Sequence, residues 1–159
     1  MSAVRAELDG LLSGASDAAL RRPAIEGEWS CADILAHFAG YTRGVADGLA
    51  KARGAAASSP PYDASAGLGA DEFNAIVVNY WRRRASSELL KEERDAFNAL
   101  VAEVQKVPVD AVDADGAFPF LGGKSLASIL PGNSHLHYRE HFPALIGGMR
   151  RSPQSNKTR

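Results

Sequence analysis

The sequence predicts an all-α domain built as a four-helix bundle. Three observations carry that prediction. Alanine, which loses no side-chain entropy in a helix, is the most frequent residue, with 28 of 159 positions. Apolar residues recur at spacings of three and four in several long stretches, which is the period of one helical face. Two of the segments joining those stretches are too long for tight turns, as in bundles with crossover connections. With 45% hydrophobic and 23% charged residues, the composition suits one packed domain rather than a disordered chain.

Taken in order, Val4, Leu8, Leu11, Leu12 and Ala15 give a first amphipathic helix that ends near Gly14. Residues 21–29, with Pro23 and Gly27, form a connector. Ser30 and Asp33 have the spacing of a capping box, and Ile34, Phe38, Tyr41, Val45 and Leu49 continue a stripe to about Arg53. Residues 54–70, with two prolines, are a long loop. A third helical stretch begins at Asp71 with Phe73, Ile76, Val77 and Tyr80. Leu90, Phe97, Val101 and Val104 lie on a rotated stripe, so a break is expected near 85–87. Arg82, Arg83 and Arg84 are expected to be a solvated run before that break. Residues 107–124 are irregular, with a short extended piece expected at 117–121. A turn at 125–130 precedes a last helix over 133–147, which Pro143 is expected to bend. This places the domain at residues 2–149 and a mobile basic tail at 150–159.

The net charge of −1 and pI near 6.4 provide no positive field for a phosphate backbone, so no nucleic-acid partner is expected. No stretch approaches the roughly 18 to 20 apolar residues that span a bilayer, and the first residues are not a secretory signal, so a cytoplasmic protein with no membrane partner is expected. The single cysteine, Cys31, excludes an internal disulfide and any zinc motif built on cysteine pairs.

Candidate chemistry rests on histidine. His137 and His141 are four apart, which stacks two imidazoles on one side of a helix where they can chelate one ion. His37 lies between Ile34, Phe38 and Tyr41, on the side of the second helix expected to be buried. One buried imidazole can simply hydrogen-bond a carbonyl or a tyrosine. Three would each cost about 1–3 kcal/mol without partners, whereas one divalent cation satisfies three lone pairs at once. His135 is two residues from His137, on the opposite side of the same helix, and is expected to stay apart. Cys31 lies off the face of His37 and receives no nucleophilic role.

Residues 28–41, E-W-S-C-A-D-I-L-A-H-F-A-G-Y, are similar to the W-S-x-x-D-x-x-A-H-x-x-x-[WY] opening of the second helix in the DinB-like (DinB/YfiT) superfamily. Residues 132–141, G-N-S-H-L-H-Y-R-E-H, resemble the G-N-[ST]-x-x-H-Y-x-E-H segment of its DfsB/ClbS-type branch. Asp71-Glu72-Phe73-Asn74 is a softer match to the start of the third helix. The resemblance covers residues 2–149. It implies an up-down-down-up four-helix bundle with long crossover loops, and a divalent metal, zinc or nickel, held by His37, His137 and His141. Members of that superfamily include transferases and isomerases that use mycothiol, bacillithiol or glutathione, stress-induced proteins, and enzymes that hydrolyse a reactive toxin. The isomerases often place a carboxylate where His137 stands, which turns the expectation away from their specific reaction.

The resulting expectation is a metal-dependent hydrolase, or a transferase using a low-molecular-weight thiol, acting on a small-molecule electrophile in a detoxification role. Tyr41 and Asn74 are expected at the cofactor pocket, and Tyr138 and Glu140 as catalytic residues, Glu140 carrying protons. A homodimer is expected by analogy. The alternative is a non-catalytic stress or resistance protein that binds a metal or small molecule.

Overall fold

The structure, a computed structural model, describes residues 2–22, 29–56, 61–62 and 68–150. It is all-α, with no strand among the described residues. The helices are α1 (Ser2–Leu12), α2 (Asp17–Leu20), α3 (Cys31–Ala52), α4 (Ala70–Arg82), α5 (Ser86–Val104), α6 (Val109–Val112), α7 (Leu126–Ile129) and α8 (His135–Arg150). Among these residues, no helix is long and apolar enough to cross a membrane.

α3 is the central element and packs against α4, α5 and α8, while α1 packs on α8. Its N-terminus carries the expected capping box: the Ser30 hydroxyl accepts from the Asp33 amide at 3.2 Å, and Asp33 Oδ2 accepts from the Ser30 amide at 2.9 Å. The Arg82 guanidinium, at the C-terminal end of α4, donates to both oxygens of Asp33, at 2.9 and 3.1 Å. One carboxylate therefore caps α3 and ties the end of α4 to it. The stripe behind this cap buries Ile34, Leu35 and Phe38 against Leu8, Leu20, Leu89 and Leu145. A second apolar cluster, built on Val45, Leu49, Leu100 and Leu126, closes the other end of α3.

Burial pushes the Asp33 carboxyl up, but Arg82 and the Ser30 groups outweigh it and hold the carboxyl below its ordinary value of 3.8. A depressed carboxylate contributes stability above that value, which is lost as pH falls through the folded value. Asp33→Asn should cost about 1–2 kcal/mol at pH 7. In urea titrations, the gap between wild type and variant should close as pH falls below 3.8 and through the lower folded value; a gap independent of pH would refute the assignment.

The arginine run is not a solvated stretch throughout. Arg82 is bound to Asp33, and Arg84 lies over the Tyr80 ring at 3.3 Å while donating to the Tyr80 carbonyl. Arg21 reaches across to the carbonyls of Arg82 and Arg84. Cations thus collect where α4 exposes its last carbonyls, as the helix dipole favours. The break falls at residues 83–85, with Ala85 extended at φ −63 and ψ 142.

Residues 119–121 form a 3-10 turn, not the extended piece expected, because Pro119 presets the first helical position and Gly122 ends the turn at φ 63. Residues 131–133 are likewise a separate 3-10 turn, so the last helix starts at His135 and then runs without a break through Pro143 to Arg150. Arg150 therefore belongs to α8, and residues 151–159 of the expected tail lie outside the described residues.

Candidate metal centre

His37 comes from α3, and His137 and His141 from successive turns of α8. One ring nitrogen from each lies within 4.8 Å of the others. His37 and His137 are each 7% exposed, and His141 is half-buried. The ring centroids are 4.5 Å apart for His37 and His137, 5.2 Å for His37 and His141, and 5.1 Å for His137 and His141. Phe38, Tyr41 and Trp29 wall the group, with the rings of Tyr41 and Trp29 set edgewise to His37 at 4.8 and 5.1 Å.

The tautomer of His37 follows from its partner. Asn74, one turn into α4, places Oδ1 2.8 Å from His37 Nδ1, so Nδ1 donates and the lone pair stands on Nε2. That Nε2 meets His137 Nε2 at 2.6 Å. At that distance two neutral imidazoles can share one proton, or both can turn a lone pair to one ion. The opposite nitrogen of His137, Nδ1, is buried without a hydrogen-bond partner among the described residues. Burial first, and then repulsion from His37 and His141, push the His137 pKa down to about 3. At neutral pH His137 is therefore an uncharged nitrogen donor, the form in which imidazole binds metals. These residues fit a divalent ion: three ring nitrogens converge, and one of the rings is oriented by a dedicated amide.

Asn74 is a positioning residue in this arrangement. Asn74→Ala should weaken metal affinity by about 10–100-fold, as loss of the hydrogen bond behind a ligand typically does. Competition against a chromophoric chelator reads this directly, and affinity unchanged within twofold would refute the role.

The other expected site residues separate. Tyr41 stands against the histidines as expected. Tyr138 is fully buried, stacked on Phe38 at 4.3 Å, and its hydroxyl donates to Glu93 at 2.8 Å with Thr42 Oγ1 at 3.3 Å. Glu140 is exposed and outside the three-histidine group. His135 lies apart, with Nδ1 3.3 Å from Ser134 Oγ. Cys31 is buried, its Sγ 3.8 Å from the Leu145 carbonyl, and burial pushes its thiol up, away from the thiolate a nucleophile needs. Two participants were not assigned from sequence. Trp29 closes the His37 side, its signal being the position just before the capping serine. Glu93, which holds Tyr138 and Arg5, gives no local signal at all.

A protein-family model described as the mycothiol maleylpyruvate isomerase N-terminal domain matches residues 1–130, most of the chain. The chain belongs to that family. The mycothiol maleylpyruvate isomerase N-terminal domain is a DinB-like superfamily domain, so the superfamily resemblance holds. The match to this family includes His37, Tyr41 and Asn74 and ends before α8, leaving His137 and His141 beyond it. No curated protein and no solved structure matches the chain.

Proposed function

We propose that this member of the mycothiol maleylpyruvate isomerase N-terminal domain family is a metal-dependent enzyme in which His37, His137 and His141 hold a divalent ion, zinc or nickel. Its reaction is the transfer of a low-molecular-weight thiol to a small electrophile, or the hydrolysis of one. The observation that carries this is the convergence of three imidazole nitrogens within 4.8 Å of one another. When bound, such an ion supplies a Lewis acid that lowers the pKa of water or a thiol toward neutrality.

The chain's own residues do the rest. Asn74 fixes the His37 ring through Nδ1, and Trp29, Phe38 and Tyr41 keep bulk water from the His37 side. Tyr138 acts by position, anchoring α8 to Glu93 directly beside His137. Glu140, exposed one residue before His141, is the group proposed to exchange protons with solvent. The G-N-S-x-x-H-Y-x-E-H run supports a place in the DfsB/ClbS-type branch, and with it the up-down-down-up bundle order. The thiol rests on the family, whose description names mycothiol.

The test is turnover. Zinc- or nickel-loaded protein is mixed with mycothiol, bacillithiol or glutathione and with monochlorobimane or an activated ester, following thiol consumption and ester hydrolysis. Turnover that disappears on chelation and returns with metal is expected. Saturable metal binding with no turnover of either kind would overturn the enzymatic proposal in favour of a binding protein.

A further inference from the structure

Beside the histidine cluster lies a cavity of about 400 Å³ on the face of α3 that carries Gly40 and Gly44. Its apolar side chains are Val45, Leu68, Phe73, Phe120, Leu121 and Ile129, while close to half of its lining surface is polar, with Tyr41 and Asn133 as the polar side chains. Tyr41 belongs to both places: it lines the cavity, and its ring sits 4.8 Å from His37 and 5.3 Å from His137. Gly44 makes the floor. A Cβ built there meets nothing within 4 Å, whereas one at Gly40 would touch Val77 and Phe73, and one at Gly48 would run into the Phe120 ring. Phe120, at the rim, is 43% exposed despite its size, which an apolar occupant would relieve.

The charge balance of this space is distinctive. Among the described residues no lysine, arginine or histidine lines it. Asp71 and Glu72 occupy the first turn of α4, offsetting the positive end of that helix where Gly69 and Ala70 border the cavity. An anionic body seated in the cavity would lose hydration with no side-chain cation among the described lining residues to receive it.

We infer that this cavity is the substrate pocket of the three-histidine centre, and that it selects an electrophile with an uncharged, apolar body, seated against Gly44 with its reactive end at Tyr41, the residue that the cavity shares with the histidine group. This rests on the proposed metal centre for its chemistry, but the pocket stands on its own geometry. It turns the substrate class away from small dicarboxylates and toward neutral aromatic or aliphatic compounds.

The probes are 1-naphthalenemethanol and 1-naphthoate, which share one ring system and differ in charge. Fluorescence titration of metal-loaded and chelator-treated protein should give saturable binding of the alcohol to both forms. On chelator-treated protein the carboxylate should bind about tenfold more weakly or worse. Gly44→Leu fills the floor and should weaken alcohol binding by about tenfold or more, with Gly44→Ala intermediate. Because both replacements raise helix propensity, thermal stability should hold. Equal or tighter binding of the carboxylate to chelator-treated protein, or alcohol affinity unchanged in a folded Gly44→Leu, would overturn the inference. The two claims fail separately. Alcohol binding that is sensitive to position 44, in a protein with no metal and no turnover, keeps the pocket and removes the centre. Metal-dependent turnover with a KM indifferent to Gly44→Leu keeps the centre and removes the pocket.

Discussion

Replacing His137 by alanine is expected to reduce bound zinc or nickel from about one equivalent per chain to less than about one-tenth after dialysis, a larger effect than the 10–100-fold loss typical of supporting residues. The reason is geometric. His137 is as enclosed as His37, and its Nε2 is the atom that faces His37 Nε2 at 2.6 Å. Without it, His37 on α3 and His141 on α8 are two ligands on separate helices. His141→Ala should act in the same direction. His135→Ala is the control, since His135 lies on the same helix but outside the group, and its metal content should match wild type within error. Elemental analysis after purification from metal-replete medium reads all three, and equal losses in His135→Ala and His137→Ala would show that metal binds elsewhere.

The second large effect is on folding. Glu93 is 0% exposed and receives both the Arg5 guanidinium from α1 and the Tyr138 hydroxyl from α8. Burial alone would push the Arg5 guanidinium down, but hydrogen bonds to Asp9 and Glu93 hold its pKa above the ordinary value. Burial, reinforced by the Glu93 charge, pushes the Tyr138 hydroxyl up and keeps it a donor. Glu93→Leu would leave Arg5 with Asp9 as its remaining partner in a buried position, and Tyr138 with only Thr42. The expected loss is about 3–5 kcal/mol, the usual cost of removing one partner of a buried ion pair. For a chain of this size that is a fall in Tm of roughly 10 °C. Arg5→Met in the same chain should restore much of the loss, because the stranded charge and not the missing contact carries most of the cost. A Glu93→Leu protein within about 1 kcal/mol of wild type would contradict this account of the network.

How far these features could be read from sequence depended on how local their causes are. α3 was legible in full because its cap, Ser30 with Asp33, and its stripe from Ile34 to Leu49 all act within a few turns. The three-histidine cluster was legible for the same reason: His137 and His141 share a helix face by spacing, and His37 sits inside an apolar stripe where an imidazole is conspicuous. Asn74 and Tyr41 were placed at the pocket by resemblance, and the structure puts Asn74 on His37 Nδ1. What stayed hidden was set by partners far along the chain. Glu93, within K-E-E-R-D, looks like any solvated acid, and only Arg5 and Tyr138, 88 and 45 residues away, bury it. Arg82 read as part of a solvated run because Asp33, 49 residues earlier, already had a complete local explanation as a cap. The 3-10 turn at 119–121 replaced the extended piece expected over 117–121 because Pro119 and Gly122 fixed the backbone otherwise. The cavity was written in the glycines at 40, 44 and 48, but a spacing of four shows a flat helix face without showing whether packing fills it, as at Gly40 and Gly48, or leaves it open, as at Gly44.

The central claim is that one ion sits among three named side chains, and anomalous scattering at the zinc edge from crystals grown with zinc tests it most directly. The account predicts one strong peak within about 2.3 Å of a ring nitrogen of each of His37, His137 and His141, consistent with zinc–imidazole bonds near 2.0–2.1 Å. A crystal grown in excess zinc that shows no peak there, or a peak touching only one of the three rings, would contradict it.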